Sequence, residues 1–353
     1  MKKQARGWRI AVAGGLAALV VEAANAPAAT QWWDTASTAG LQSGSGTWST
    51  VDAFWATNNN PADGIGPFAW INGNDASFSV IATAVVNGVS ANSIIVNANP
   101  IKLYPGTGSL TNGAGGISLT YNILTIDCPI VLGADQTWSL NSSTYQTING
   151  PISGPGRLTA QQGSPAANGA LTLTNTANAF NGLTVLTQPG SPPSGPGTVS
   201  VSAGTITNGL TLGLPAGSAT YGANLTIYGA GMATSAVGDV TIASPAALTL
   251  NANGGTNTTA ADNLVRLGHA TLELTGPNGS TAPTTFTNGI TVNNGIVTPW
   301  IVNPLNNSYY TYLSGSGLVS AAARSIAAFD AATPTQFVSC SSAILLSADA
   351  AAQ

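Results

Sequence analysis

The feature that most narrows what this chain can fold into is a short strand unit that keeps returning. In "ALTLTNTANAFNGLTVLTQPG" (residues 170–190), Leu171 and Leu173 share one face, with Thr172 and Thr174 on the other. After an Asn-rich corner, Leu183 and Val185 share a face with Thr184 opposite. A period of two marks a strand with one face buried. The same unit stands as "LTY" at 119, "LTI" at 124 and 225, "LTL" at 210 and 248, "LEL" at 272 and "ITV" at 290. From Leu225 to Leu248 to Leu272 the steps are 23 and 24 residues. That is the length of one coil of a three-sided solenoid, a stack in which each repeat contacts its neighbours.

Asn-Gly pairs recur from Asn72-Gly73 to Asn294-Gly295. Both residues tolerate positive φ, so the dipeptide suits a hairpin turn and equally a solenoid corner. Repeat length and fixed apolar parity favour the coil; uneven spacing of the other units favours a sandwich of hairpins. The expected fold is all-β, a right-handed parallel β-helix coiling from about residue 76 to 302. Leu171, Leu173, Leu248, Leu250, Leu272 and Leu274 should point inward. Residues 29–75 would form a Trp-rich N-terminal cap, and residues 303–353 a C-terminal cap or tail. The Ala-rich "VSAAARSIAAFDAATP" would supply a short capping helix.

Composition agrees with strands. Charged residues make up 6 % of the 353, against roughly 25 % in an average globular protein. A soluble surface must therefore be built from hydroxyls and amides, which suit the pleated exterior of a sheet better than that of a helix. Residues 1–28 read as a secretory signal, with Lys2, Lys3, Arg6 and Arg9 ahead of the apolar "IAVAGGLAALVV". Cleavage is expected after Ala28, because the alternative site would leave Pro27 first. Beyond residue 28, Lys102, Arg157, Arg266 and Arg324 stand against eleven acids, which excludes the clustered basic footprint of a nucleic-acid binder. No later stretch has the ~20 apolar residues of a membrane helix. In "ILTIDCPIVL", Cys128 shares the face of Leu124, Ile126, Ile130 and Leu132, and reads as a small core hydrophobe. The alternative is a disulfide to Cys340.

Residues 148–190, "INGPISGPGRLTAQQGSPAANGALTLTNTANAFNGLTVLTQPG", resemble the autotransporter-associated β-strand repeat, also called the passenger-associated transport repeat. The matching parts are Ile152 to Thr159, Gly169 to Leu173, the Asn-x-aromatic-x-Gly corner from Asn178 to Gly182, and Thr184 with Val185. "AQQGSPAAN" departs from the pattern, implying a longer loop. The flanks "QWWDTASTAGLQSGSGTWSTVDAFW", "ADQTWSL" and "GIVTPWIV" are similar to segments bordering such repeats. The resemblance implies an exported β-helical passenger, commonly at the cell surface, and brings no catalytic motif. A complete autotransporter would end in a membrane barrel. The sequence here ends in "SSAILLSADAAAQ", so a longer protein or another anchoring route is expected.

A β-helix can also be a carbohydrate-active enzyme, a polysaccharide lyase or hydrolase, and glycoside hydrolysis needs paired carboxylates. The densest ionisable set is Asp262, Arg266, His269 and Glu273 in "DNLVRLGHATLELTG". His269, Thr271 and Glu273 share an outward face, and we expect that face to be solvated and not catalytic. No phosphate loop, Ca²⁺-binding nonapeptide or multi-His metal set is present, and no cofactor is expected. The Trp cluster is the stronger lead. Trp32, Trp33, Trp48, Trp55 and Trp70 fall within 39 residues. They either plug the open hydrophobic end of the first coil or form a lip that stacks on sugars. The expectation is a secreted or cell-surface stalk, adhesive and non-enzymatic, whose partners are surface glycans or cell-envelope components.

Overall fold

A computed structural model describes residues 27–320, less 121–122, 142, 164–168, 188–197, 203–204, 207–208, 214–222, 229–233, 237, 244–245, 252–257, 269, 276–280, 283, 291–300, 304–307 and 314–316. Within them every regular element is a strand. The chain winds as a parallel β-solenoid. Its first sheet stacks strands from Gly44–Trp48 and Ala82–Val86 through Ile101–Pro105, Ile123–Ile126, Tyr145–Ile148 and Ala170–Leu173. The stack runs on, parallel throughout, to Leu272–Thr275 and Ile301–Asn303. The second sheet stacks Asp75–Phe78, Val89–Val96, Leu110–Leu119, Gln136–Leu140, Leu158–Gln162, Leu183–Leu186, Leu210–Leu212, Val240–Ile242 and Leu264–Arg266, again in parallel. A narrow third face carries Ile130–Leu132, Ile152–Gly154, Ala179–Phe180 and Thr205–Ile206.

The two alternating runs between residues 170 and 186 are therefore not a hairpin. Ala170–Leu173 lies in the first sheet, Ala179–Phe180 on the third face and Leu183–Leu186 in the second sheet. Each turns a corner and pairs with its counterpart one coil earlier and one coil later. Among the described residues antiparallel pairs occur only near the two ends, in residues 30–69 and 281–320.

The corner motif has a physical account. Asn178 is buried, and its Oδ1 accepts a hydrogen bond from the Ile152 N–H at 2.9 Å, across to the coil below. Its Nδ2 donates to the Asn175 carbonyl at 2.7 Å. One side chain thus satisfies a buried backbone donor and fixes the turn. Phe180 points into the core. Gly182 then turns the chain with φ +105°, a conformation that L side chains rarely adopt.

Inward rows form the core. Leu171, Leu173, Leu272 and Leu274 are buried, as the alternation predicts; the side chains of Leu248 and Leu250 lie outside the described set. The coil steps differ from the spacing of the Leu-Thr units. Leu225 pairs with Leu248, 23 residues on, but Leu248 pairs with Leu274 instead of Leu272, a step of 26. Leu124, Ile126, Cys128, Ile130 and Leu132 keep one parity through a corner and are all buried. Cys128 is free, and burial, the dominant cause, pushes its thiol up to about 12. The inward row also admits amides. Gln146, level with Leu124 and Leu171, is buried and donates from Nε2 to the Ser139 carbonyl at 2.6 Å. Gln136 accepts from Trp138 Nε1 at 2.8 Å.

Residues 1–26, which hold most of the expected signal, and the Ala-rich stretch from residue 321, Cys340 included, lie outside the described residues. No helix among the described residues is long and apolar enough to cross a membrane.

Candidate functional site

Two places could meet a partner: the aromatic N-terminal end, and the outer surface of the first sheet.

At the N-terminal end, Thr30–Trp33 pairs in parallel with Asp75–Phe78, while Ala53–Ala56 and Phe68–Ala69 add antiparallel strands on its other side. This ribbon covers the sheet edge that the first coil would otherwise leave open. Trp33, Trp48, Trp55 and Trp70 are at most 2 % exposed. They pack on one another and on Phe78, with Trp55 and Trp70 centroids 4.6 Å apart, Trp48 and Trp70 edge-on at 5.2 Å, and Trp33 against Phe78 at 5.9 Å. Phe54 stacks on Trp33 at 5.5 Å and lies against Gly46, where an added Cβ would come within 2.6 Å of the ring. These four Trp rings have no face left for a sugar. Their geometry is that of a plug. Trp32, half-buried on the opposite side of its strand, is the member of the set that keeps solvent-facing surface.

The plug is held by shape more than by polar contacts. Trp70 Nε1 donates to the Ser90 carbonyl at 2.9 Å. Trp33, Trp48 and Trp55 each bury an indole N–H that has no hydrogen-bond partner. Leaving such a donor unpaired costs about 1–3 kcal/mol. A buried aromatic ring of this size outweighs that cost through the area it removes from water.

The first sheet turns a row of small polar side chains outward. Thr83, Lys102, Thr125, Thr147 and Thr172 stand on successive rungs in strict register. The backbone register of these rungs continues through Ser200, Thr226 and Thr249. Parallel strands lie about 4.8 Å apart, so the row is a straight ladder along the solenoid axis. Two residues to its N-terminal side stand Ile123 and Tyr145, 41 % and 49 % exposed; two residues to its C-terminal side stand Val85 and Tyr104, each 37 % exposed. Farther along the C-terminal side the surface is polar: Asn149 Nδ2 donates to Asp127 Oδ1 at 2.7 Å, and Thr174 Oγ1 donates to Asn149 Oδ1 at 2.7 Å. The alternation in the sequence marks each outward Thr but not the row, because the row exists only once coil lengths set the register.

Two described members of the ionisable set, Arg266 and Glu273, stand on different sheets. Glu273 is exposed on the first sheet beside exposed Thr271, while Arg266 belongs to the second sheet and donates from Nε to the Ala270 carbonyl at 2.7 Å. Ala270, Leu272 and Leu274 face inward as expected. His269 lies outside the described residues. Among the described residues no group of three or more His, Cys, Asp and Glu side chains gathers as metal ligands would.

Comparison with known proteins adds one relative. Over 186 residues, 52 % of this chain, the sequence is 33 % identical to the adhesin BmaC autotransporter of Brucella suis biovar 1 (strain 1330). The chain spans about 4 % of the length of that protein. No family model matches the chain, and no solved structure matches it. A β-solenoid with this similarity fits an autotransporter passenger.

Proposed function

We propose that this chain is an exported, surface-displayed passenger segment that acts as an adhesive stalk and not as an enzyme. The observation that carries the reading is the coincidence of a parallel β-solenoid with similarity, over half the chain, to a protein named as an autotransporter adhesin. The finer assignment, to the autotransporter-associated β-strand repeat, rests on residues 148–190. Those residues run over more than one coil, and their Asn178 corner, inward Phe180 and positive-φ Gly182 give that part of the motif its structural tasks. Export rests on the basic and apolar leader ending at Ala28.

The reading is tested by expressing the full gene in its native cells. Protease treatment of intact cells should remove the chain, its N-terminus should begin near Ala29, and beads coated with purified protein should attach to a cell or matrix surface. Protein retained inside the cell with Met1 would overturn the export reading. Release of reducing ends from a polysaccharide by the purified chain would overturn the non-enzymatic one.

A further inference from the structure

We infer that the outer face of the first sheet is a binding track for a linear, neutral polysaccharide of the extended β-1,4-linked kind, lying along the solenoid axis over the Thr125–Thr147–Thr172 ladder. The inference gives the adhesive reading above a place and a ligand class, and it assigns the contact to a surface other than the Trp end.

Four observations converge on it. First, the ladder offers one hydroxyl per rung at the strand spacing of about 4.8 Å. That repeat is close to the length of one hexopyranose unit in an extended chain, so successive sugars meet successive rungs. Second, Thr is bifunctional: its hydroxyl exchanges hydrogen bonds with sugar hydroxyls, and its methyl contacts the C–H faces of the ring. Third, the walls are of the right kind. Ile81, Ile123 and Tyr145 flank the ladder on one side and Val85 and Tyr104 on the other, staggered along the axis, and all five are partly exposed. A Tyr ring presents an apolar face and a polar tip, a combination favoured where a partner is both. Fourth, charge selects against polyanions. Beyond residue 28 four basic residues stand against eleven acids, and Lys102 is the cation on this ladder. A neutral polymer meets no repulsion there, and the Lys102 ammonium can donate to its hydroxyls.

The shape of the surface chooses among neutral glycans. A straight ladder of regular pitch matches a ribbon-like chain with equatorial linkages. A coiled α-1,4-linked chain touches a straight row only once per turn. Each contact is weak, and affinity comes from many made together along one polymer.

The test uses the purified chain and two soluble probes, hydroxyethyl cellulose and soluble starch, in affinity electrophoresis and calorimetry. Retardation by hydroxyethyl cellulose and not by starch is expected. The triple variant Thr125→Val, Thr147→Val, Thr172→Val keeps side-chain shape and removes the hydroxyls; it should lose about tenfold or more in affinity. Tyr145→Ala should weaken binding several-fold, while Tyr145→Phe, which keeps the ring, should retain it. The corresponding triple on the second sheet, Thr159→Val, Thr184→Val, Thr211→Val, should bind like the parent and controls for folding. No binding of the parent to hydroxyethyl cellulose, equal binding to starch, or equal loss in both triple variants would overturn the proposal. The two readings fail separately. If coated beads adhere and the first-sheet triple adheres equally well, this face is wrong and the adhesive reading stands. If the parent binds hydroxyethyl cellulose as described but beads adhere to no surface, the track stands and the adhesive reading falls.

Discussion

The aromatic end and the repeating middle of the solenoid solve the same burial problem in opposite ways. In the middle, an inward aliphatic side chain has a counterpart in register one coil before and one coil after, as Ile126 has in Leu103 and Ile148. Its contacts are duplicated along the stack. At the end, each ring occupies a place of its own. Trp55 touches Trp33, Trp48, Trp70 and Phe78, and among the described residues no later coil repeats that arrangement. A stack whose units contact only neighbours is most exposed where it has neighbours on one side only. The difference teaches that the end depends on specific large side chains, whereas the middle depends on periodicity.

That contrast is broken most directly by removing a ring. Trp55→Ala should cost about 3–5 kcal/mol, the range for a large aromatic truncated in a packed core. The loss should appear as an early, separate unfolding step of the first coils in urea, followed by near-native unfolding of the remainder. Leu173→Ala, in the middle, should cost about 2–5 kcal/mol and shift the main transition instead. A single transition displaced equally by both variants would show that the end is not a separate unit.

Next in size is the corner amide. Asn178→Ala leaves the Ile152 N–H buried without its acceptor, which should destabilise by about 1–3 kcal/mol. Asn178→Asp, measured at pH 7, keeps an acceptor at that place and separates loss of the bond from loss of the side chain. Hydrogen exchange at the Ile152 amide reports the effect locally. Unchanged protection there in the Ala variant would remove the corner from the account of the repeat.

How much of this is legible in the sequence follows from the same contrast. Parity is a local property, so the alternation alone identifies the inward residues of "ILTIDCPIVL" and "ALTLTNT". Register is not local. Leu272 and Leu274 share parity, and a slip of two residues keeps every side chain on its face. Nothing in the alternation chooses between them, and loop length between coils decides that Leu248 meets Leu274. The Thr ladder is invisible in the sequence for that reason. The Trp cluster is legible as a cluster but ambiguous in use, because a plug and a sugar lip need the same residue type; only burial separates them. Gln146 in an apolar row carries no sequence signal at all, since its acceptor, the Ser139 carbonyl, is supplied by the preceding strand.

The smallest expected effect probes the middle through its one described thiol. Cys128 is fully buried, and its thiol is raised to about 12 by burial, with a smaller contribution from the Asp127 charge. A folded-state pKa above the unfolded one of 9.0 means that the unfolded chain releases its proton first as pH rises. The thiol's contribution is therefore intact below about pH 9 and is lost progressively as pH climbs from there toward 12. Between pH 8 and pH 10 the loss should be about 1 kcal/mol. Comparing Cys340→Ala with Cys128→Ala/Cys340→Ala by urea unfolding at both pH values isolates it, since every other titrating group is common to the two. The single variant should lose that extra stability at pH 10, and its native thiol should resist alkylation at pH 8 until denaturant is added. Equal pH slopes with rapid native alkylation would place Cys128 at a mobile seam between coils, and the middle of the stack would then be less tightly packed than its register implies.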